Sequence, residues 1–306
     1  MRIAVVGTGG VGGYFGGRLA ASGEEVFFLA RGAHLSAMKE HGLRIESPLG
    51  NVRVPKVFAT VDPLDIGAVD VVLFTVKLYD MEAALPLVHP LLGPHTIVIP
   101  FQNGVDCLDR LGREFGVERV AGGTAHVTAL VSEPGVIRHT ALDRLIFGMP
   151  DGHNPPVLEA LRAAGMRAGF KAILGTEILV DLWAKFVRLT VFSGMTCIVR
   201  TSIGPIREDP DLLEMMEAAW HESILVARAK KIPLPGSAFA DIQTATAALP
   251  PHARSSMLED LERGRRLELP WLSGAMVRMA NVLGVDVPTH KLFVTLLHPH
   301  VNGRAT

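Results

Sequence analysis

The stretch RIAVVGTGGVGGYFGGRLAASG, residues 2–23, constrains the fold more than any other part of the chain. A short run of β-branched and apolar residues breaks into glycine at Gly7, and a helical pattern follows directly. Gly7, Gly9 and Gly12 have the G-x-G-x-x-G spacing. Gly7 permits a tight turn, Gly9 lets backbone approach a pyrophosphate, and Gly12 lets the helix pack on the strand. The N-terminus of the helix then attracts the anion. Gly7, Gly9, Gly10, Val11 and Gly12 are therefore the expected cofactor contacts of a dinucleotide-binding turn.

The same rhythm continues. The runs EVFFLA, DVVLFTV, HTIVIPF and VERVAGG read as strands buried on both faces and separated by helical segments. This predicts an α/β fold, an N-terminal Rossmann-type doubly wound parallel sheet. From HVTALV through PGVIRHT to DRLIFGM no helix intervenes, which predicts antiparallel strands appended to the sheet edge. Beyond about residue 175 the spacing becomes helical and long, as in ILVDLWAKFVRLTVFSGMTCIV. The expected division is a nucleotide-binding domain over 1–174 and an all-helical C-terminal domain over 175–306. A chain of 306 residues with 48% hydrophobic content has ample apolar surface for two cores.

The second strand bears on the choice of nucleotide. NAD sites commonly end that strand in an acidic residue, about 20 residues past the glycines, which holds the ribose 2′-hydroxyl. Here it ends in Ala30 and Arg31, while Glu24 and Glu25 stand at its beginning. A guanidinium at that point suits a 2′-phosphate, so the expected cofactor is NADP(H).

Composition excludes other classes. Thirty basic residues against 31 acidic ones give a net charge of −1, which gathers neither nucleic acid nor an anionic membrane surface and leaves small molecules as the expected partners. Two distant cysteines, Cys107 and Cys197, suggest neither a disulfide framework nor a thiolate metal site and fit a reducing cytoplasm. No apolar run is expected to reach the ~20 residues of a membrane span. The 12 histidines form no close ligand spacing, so no metal is expected, and there is no G-x-S-x-G nucleophile motif.

Three further positions carry chemistry. FTVK ends in Lys77 and IPFQNGVD places Gln102 and Asn103, each at the carboxyl end of a strand, where ligands of open α/β sheets gather. Lys185 interrupts the apolar helix LWAKFVRLTVFSG, with Leu189 and Ser193 expected on its face. A lysine there either serves a site or carries its stem across apolar surface to water, and spacing leaves both open.

GTGGVGGYFG, FTVK, FQNG, EPG at 133–135, LWAK, SSM and the LE before LSG occur in the order and spacing of the ketopantoate reductase family, and nearly the whole chain resembles it. The resemblance implies NADPH-dependent reduction of a 2-oxo acid to a 2-hydroxy acid. It implies Lys185 as the general acid and Glu268 as its acidic partner near the cofactor. It implies further that Asn103 and Ser256 help hold nicotinamide ribose and substrate, and that Lys77 and Arg31 contact the cofactor. Relatives resembling true ketopantoate reductases carry asparagines four and eight residues after the lysine, where this chain has Leu189 and Ser193. The expected substrate is therefore a less hydroxylated 2-oxo acid, with a catalytically silent NADP(H) sensor as the rival of another class. Long apolar helices in the second half leave room for a homodimer.

Overall fold

The computed structural model describes residues 1–304. Its strands are β1 (Arg2–Val6), β2 (Glu25–Leu29), β3 (Leu43–Glu46), β4 (Val52–Val54), β5 (Phe58–Thr60), β6 (Val69–Phe74), β7 (Leu92–Pro100), β8 (Gly122–Glu133), β9 (Val136–Gly148) and β10 (Lys171–Leu174). The helices are α1 (Gly10–Ala21), α2 (Gly32–His41), α3 (Met81–Ala84), α4 (Asp106–Phe115), α5 (Pro156–Arg167), α6 (Ile178–Val199), α7 (Ile203–Glu208), α8 (Pro210–Ala229), α9 (Ala238–Ala247), α10 (Ser256–Glu262), α11 (Ser273–Leu283) and α12 (Pro288–Leu297). They form two compact units: Met1–Gln102 with Cys107–Ile178, and Asn103–Asp106 with Leu179–Thr306.

The first unit is built on a five-stranded sheet in the order β5-β2-β1-β6-β7, with every pair parallel. Ile3, Val5, Val71 and Leu73 on one face of its central strands and Ala4, Val6, Val72 and Phe74 on the other are all buried, which is why these runs are continuously apolar rather than alternating. The order reverses at β1, the point where such sheets bind ligands beyond their carboxyl ends. A second five-stranded sheet has the order β10-β9-β3-β4, with β8 paired to β9. Helix α1 lies between the two sheets. A Cβ at Gly16 would meet Phe28 and Val5 of the first, and one at Gly17 would meet Ile45 and Leu43 of the second.

Two sequence expectations are corrected. VERVAGG is not a strand: Val117–Arg119 form a 3-10 turn, and Val120 alone bridges to Val98 before β8 begins at Gly122. The fifth parallel strand is instead the three-residue β5, beside β2. The antiparallel strands are not an extension of the first sheet either. β9 runs 13 residues, long enough to pair with β3 at one end and β10 at the other while β8 covers its opposite edge, so a separate sheet forms.

The second unit is helical. Along α6, Trp183, Phe186, Val187, Val191 and Met195 enter its core, against α8, α10, α11 and α12 residues such as Trp220, Leu258, Met276 and Phe293. With 22 residues and an 18-residue stretch of mean hydropathy 1.4, α6 is long and apolar enough to cross a membrane, contrary to the sequence expectation. However, 61% of its most apolar window is buried inside the protein, and a helix apolar around most of its circumference suits a core. At the other end of this core the Glu222 carboxylate accepts the N–H groups of Thr289 (2.9 Å) and His290 (3.1 Å), satisfying donors that the first turn of α12 would leave orphaned.

Candidate active site

In the first unit the glycine-rich turn is held from two sides. The N–H groups of Gly7 and Thr8 both donate to the Leu29 carbonyl at the end of β2, each at 3.3 Å, and the Thr8 hydroxyl joins them at 3.0 Å. From the β6 side the Thr75 hydroxyl donates to the Gly7 carbonyl at 2.7 Å. Gly7 has φ +98°, and a Cβ there would come within 2.7 Å of the Val76 backbone. A Cβ at Gly12 would strike Thr75 and Gly7, so Gly12 lets α1 seat against the turn. At Gly9 a Cβ would meet no protein atom within 4 Å. The open space lies over the one glycine whose expected task is close approach of a pyrophosphate, and it sits at the N-cap of α1. At Gly10 a Cβ would run into the Ala129 carbonyl, so its bareness seats β8 against α1. Val11 is half-buried and packs on the core of this unit.

Around the turn, Arg31 caps α2 with its side chain 84% exposed, and Nη2 lies 2.9 Å from Oδ2 of Asp80. Lys77 is half-buried where a 3-10 turn leaves β6. Gln102 is buried beyond β7 and donates from Nε2 to the Val76 carbonyl at 2.9 Å, while its Oε1 finds no partner among the described residues. A buried acceptor left open beyond the carboxyl end of a parallel strand fits a ligand that brings a donor. His34 belongs to no motif that local sequence reveals. Its Nδ1 accepts the Gly135 N–H at 3.0 Å, tying α2 to the EPG turn between β8 and β9. Burial holds its imidazole below the usual pKa.

In the second unit the structure brings three of the expected residues together. Lys185 Nζ donates to Asn103 Oδ1 at 3.1 Å, and Asn103 Nδ2 reaches Oε2 of Glu268 at 3.5 Å, a long hydrogen bond. The amide thus stands between ammonium and carboxylate with each end facing a complementary charge. Glu268 is 5% exposed, whereas Lys185 and Asn103 are half-buried. Lys185 heads the less buried side of α6, and Leu189, one turn on, is half-buried on that same side. Ser193 is not: at 1% exposure it lies inside the helical core. Thr196 is committed to structure, donating to the Phe192 carbonyl at 2.8 Å and pairing with Ser255 Oγ at 2.7 Å. Ser256 lies exposed in the first turn of α10, and its neighbour Ser255 caps that helix by accepting the Leu258 N–H.

A doubly wound unit with an open glycine turn, and a helical unit carrying a lysine–amide–carboxylate chain, define the class of two-unit, dinucleotide-dependent oxidoreductases. Two family models match, "Ketopantoate reductase PanE/ApbA" over residues 3–152 and its C-terminal counterpart over residues 177–301. The chain belongs to the ketopantoate reductase family. It is 30% identical over 94% of its length to an uncharacterized oxidoreductase of Bacillus subtilis, covering 95% of that protein. It is 31% identical to a 2-dehydropantoate 2-reductase of Archaeoglobus fulgidus, covering 97% of this chain and 96% of that one. The crystal structure of a PanE/ApbA family ketopantoate reductase from Ralstonia eutropha superposes with a TM-score of 0.89 at 31% identity, over 98% of both chains.

Proposed function

We propose that this protein reduces a 2-oxo acid to the 2-hydroxy acid with NADPH, and that Lys185 supplies the proton. The observation that carries this reading is the Lys185–Asn103 hydrogen bond at 3.1 Å, extended to the buried Glu268. Reduced nicotinamide supplies a hydride to the ketone carbon when bound. The chain's own residues do the rest. Lys185 holds a proton at Nζ and a positive charge beside the developing alkoxide, the two things that oxygen requires. Asn103 Oδ1 engages one N–H of the ammonium and so limits the directions in which the others point. Glu268 holds the far end of the amide, which keeps that orientation fixed. The turn from Gly7 to Gly12 takes the pyrophosphate, and Arg31 and Lys77 supply cations for a 2′-phosphate.

The substrate we favour is less hydroxylated than ketopantoate. Leu189 neither donates nor accepts a hydrogen bond, and it stands one helical turn from Lys185. A substrate hydroxyl stripped of water against it would cost ~1–3 kcal/mol, whereas an alkyl group there gains ~0.8 kcal/mol per buried methylene. A cytoplasmic setting, small-molecule partners rather than nucleic acid or membrane, and a homodimer built on the apolar helices complete the proposal. NADPH oxidation followed optically across a panel of 2-oxo acids, ketopantoate among them, tests it. Turnover with at least one acid is expected, fastest with a hydroxyl-free member. Tight NADPH binding with no turnover on any of them would instead make the protein a nucleotide sensor.

A further inference from the structure

We propose that Asp80 holds down this protein's preference for NADPH over NADH. The inference rests on the dinucleotide reading of the glycine turn and deepens it.

By sequence, the end of β2 offers a 2′-substituent only the cation Arg31. The fold adds a carboxylate that local sequence does not reveal. Arg31 follows β2 and Asp80 follows β6, and these two strands flank β1, from which the glycine turn issues. The Arg31 Nη2 to Asp80 Oδ2 contact at 2.9 Å therefore spans the carboxyl end of β1, beyond the turn. Asp80 is the anchored partner. Its N–H donates to the Lys77 carbonyl at 2.9 Å, and its side chain is 34% exposed against 84% for Arg31.

Two consequences follow from this pairing. A 2′-phosphate that takes the guanidinium must displace Asp80 from it, and it then carries its charge beside a carboxylate. A ribose 2′-hydroxyl meets the opposite situation, because Asp80 accepts a hydrogen bond as the acidic residue at the end of β2 does in NAD sites. Arg31 and Asp80 thus pull cofactor choice in opposite directions. The Arg31–Asp80 pair is solvent-exposed, and such pairs are weak, so the phosphate still wins the guanidinium. The margin is what Asp80 reduces. Lys77, at the base of the same loop, adds positive charge on the side of the phosphate.

The experiment is a double-mutant cycle on the intact protein, reading dissociation constants for NADPH and NADH by isothermal titration calorimetry in native, Asp80→Asn, Arg31→Ala and the double variant. Asp80→Asn is expected to raise the NADPH-over-NADH affinity ratio by about three- to tenfold. In the Arg31→Ala background the same substitution is expected to move that ratio less than in the native protein, because no guanidinium remains to be released and only the carboxylate's own effect on the 2′-substituent is left. A ratio unmoved by Asp80→Asn, or moved equally without Arg31, overturns the role given to Asp80 while leaving the dinucleotide reading intact. Binding of neither nucleotide by the native protein overturns both.

Discussion

Asn103 Oδ1 accepts a hydrogen bond from Lys185 Nζ at 3.1 Å, and the other end of the same amide faces Glu268. The amide thus stands between the ammonium and the carboxylate. Lys185→Ala should lower kcat by about 10²–10⁴. Asn103→Ala should lower it by about tenfold or more through loss of orientation, and Glu268→Ala by less than Lys185→Ala. Kinetics on the best 2-oxo acid, with melting temperatures as a control for folding, check the order. An unchanged kcat in Asn103→Ala would show that the lysine needs no orienting partner.

Substrate choice should respond to Leu189. With asparagine there, one hydrogen bond becomes available to a substrate hydroxyl, worth up to roughly tenfold. Leu189→Asn should shift the kcat/KM ratio toward ketopantoate by that amount. A native preference for ketopantoate over all hydroxyl-free acids of similar size would refute the role given to Leu189.

Adjacent glycines in the turn should separate binding from folding. Gly9→Ala places its methyl in space free of protein atoms, so melting should barely move while affinity for dinucleotide falls by about tenfold or more. Gly10→Ala drives a methyl into the Ala129 carbonyl, a backbone atom that cannot step aside, and should cost roughly 1–3 kcal/mol of stability. Calorimetric melting and nucleotide titration of both variants check the contrast.

Acid should destabilise the helical unit through His290. Burial lowers its pKa to about 4. Its Nε2 faces Ser223 Oγ at 2.8 Å and the Ala219 carbonyl at 3.1 Å, and its Nδ1 faces Ser273 Oγ at 3.4 Å. The unfolded chain takes up this proton near pH ~6.5, while the folded chain does not until about pH 4. Unfolded protein thus binds more protons across that window, so stability is full above pH ~6.5 and declines as pH falls, by on the order of 3 kcal/mol at the lower end. Denaturant melts between pH 7.5 and 4.5 should show this slope, and His290→Gln should flatten it. Equal slopes in the two proteins would assign the acid sensitivity elsewhere.

Much of this was legible because parallel strands advertise themselves. β1, β2, β6 and β7 are apolar on both faces, and the turn after β1 carries glycines whose missing side chains leave close contacts at Gly7, Gly10 and Gly12 and open space at Gly9. β4 and β5 are three residues long, too short for any periodicity to register. VERVAGG misled because its valines are those of a strand, although only Val120 pairs. At the candidate site, Lys185, Asn103 and Glu268 were each visible through resemblance, but their chain was not: 82 residues separate the first pair and 165 the second. Asp80 escaped for the same reason, since nothing local to it announces a partner 49 residues away at the end of another strand.

The most direct test follows the hydride and the proton together. NADPH deuterated at the reactive position of the nicotinamide C4 is incubated with the best 2-oxo acid of the panel and either the native protein or Lys185→Ala, and the product is read by mass spectrometry. The native protein should yield a 2-hydroxy acid carrying one deuterium at C2, and Lys185→Ala should form the same product about 10²–10⁴-fold more slowly. Product formed at the native rate without Lys185, or no deuterated hydroxy acid from any 2-oxo acid, would contradict the account.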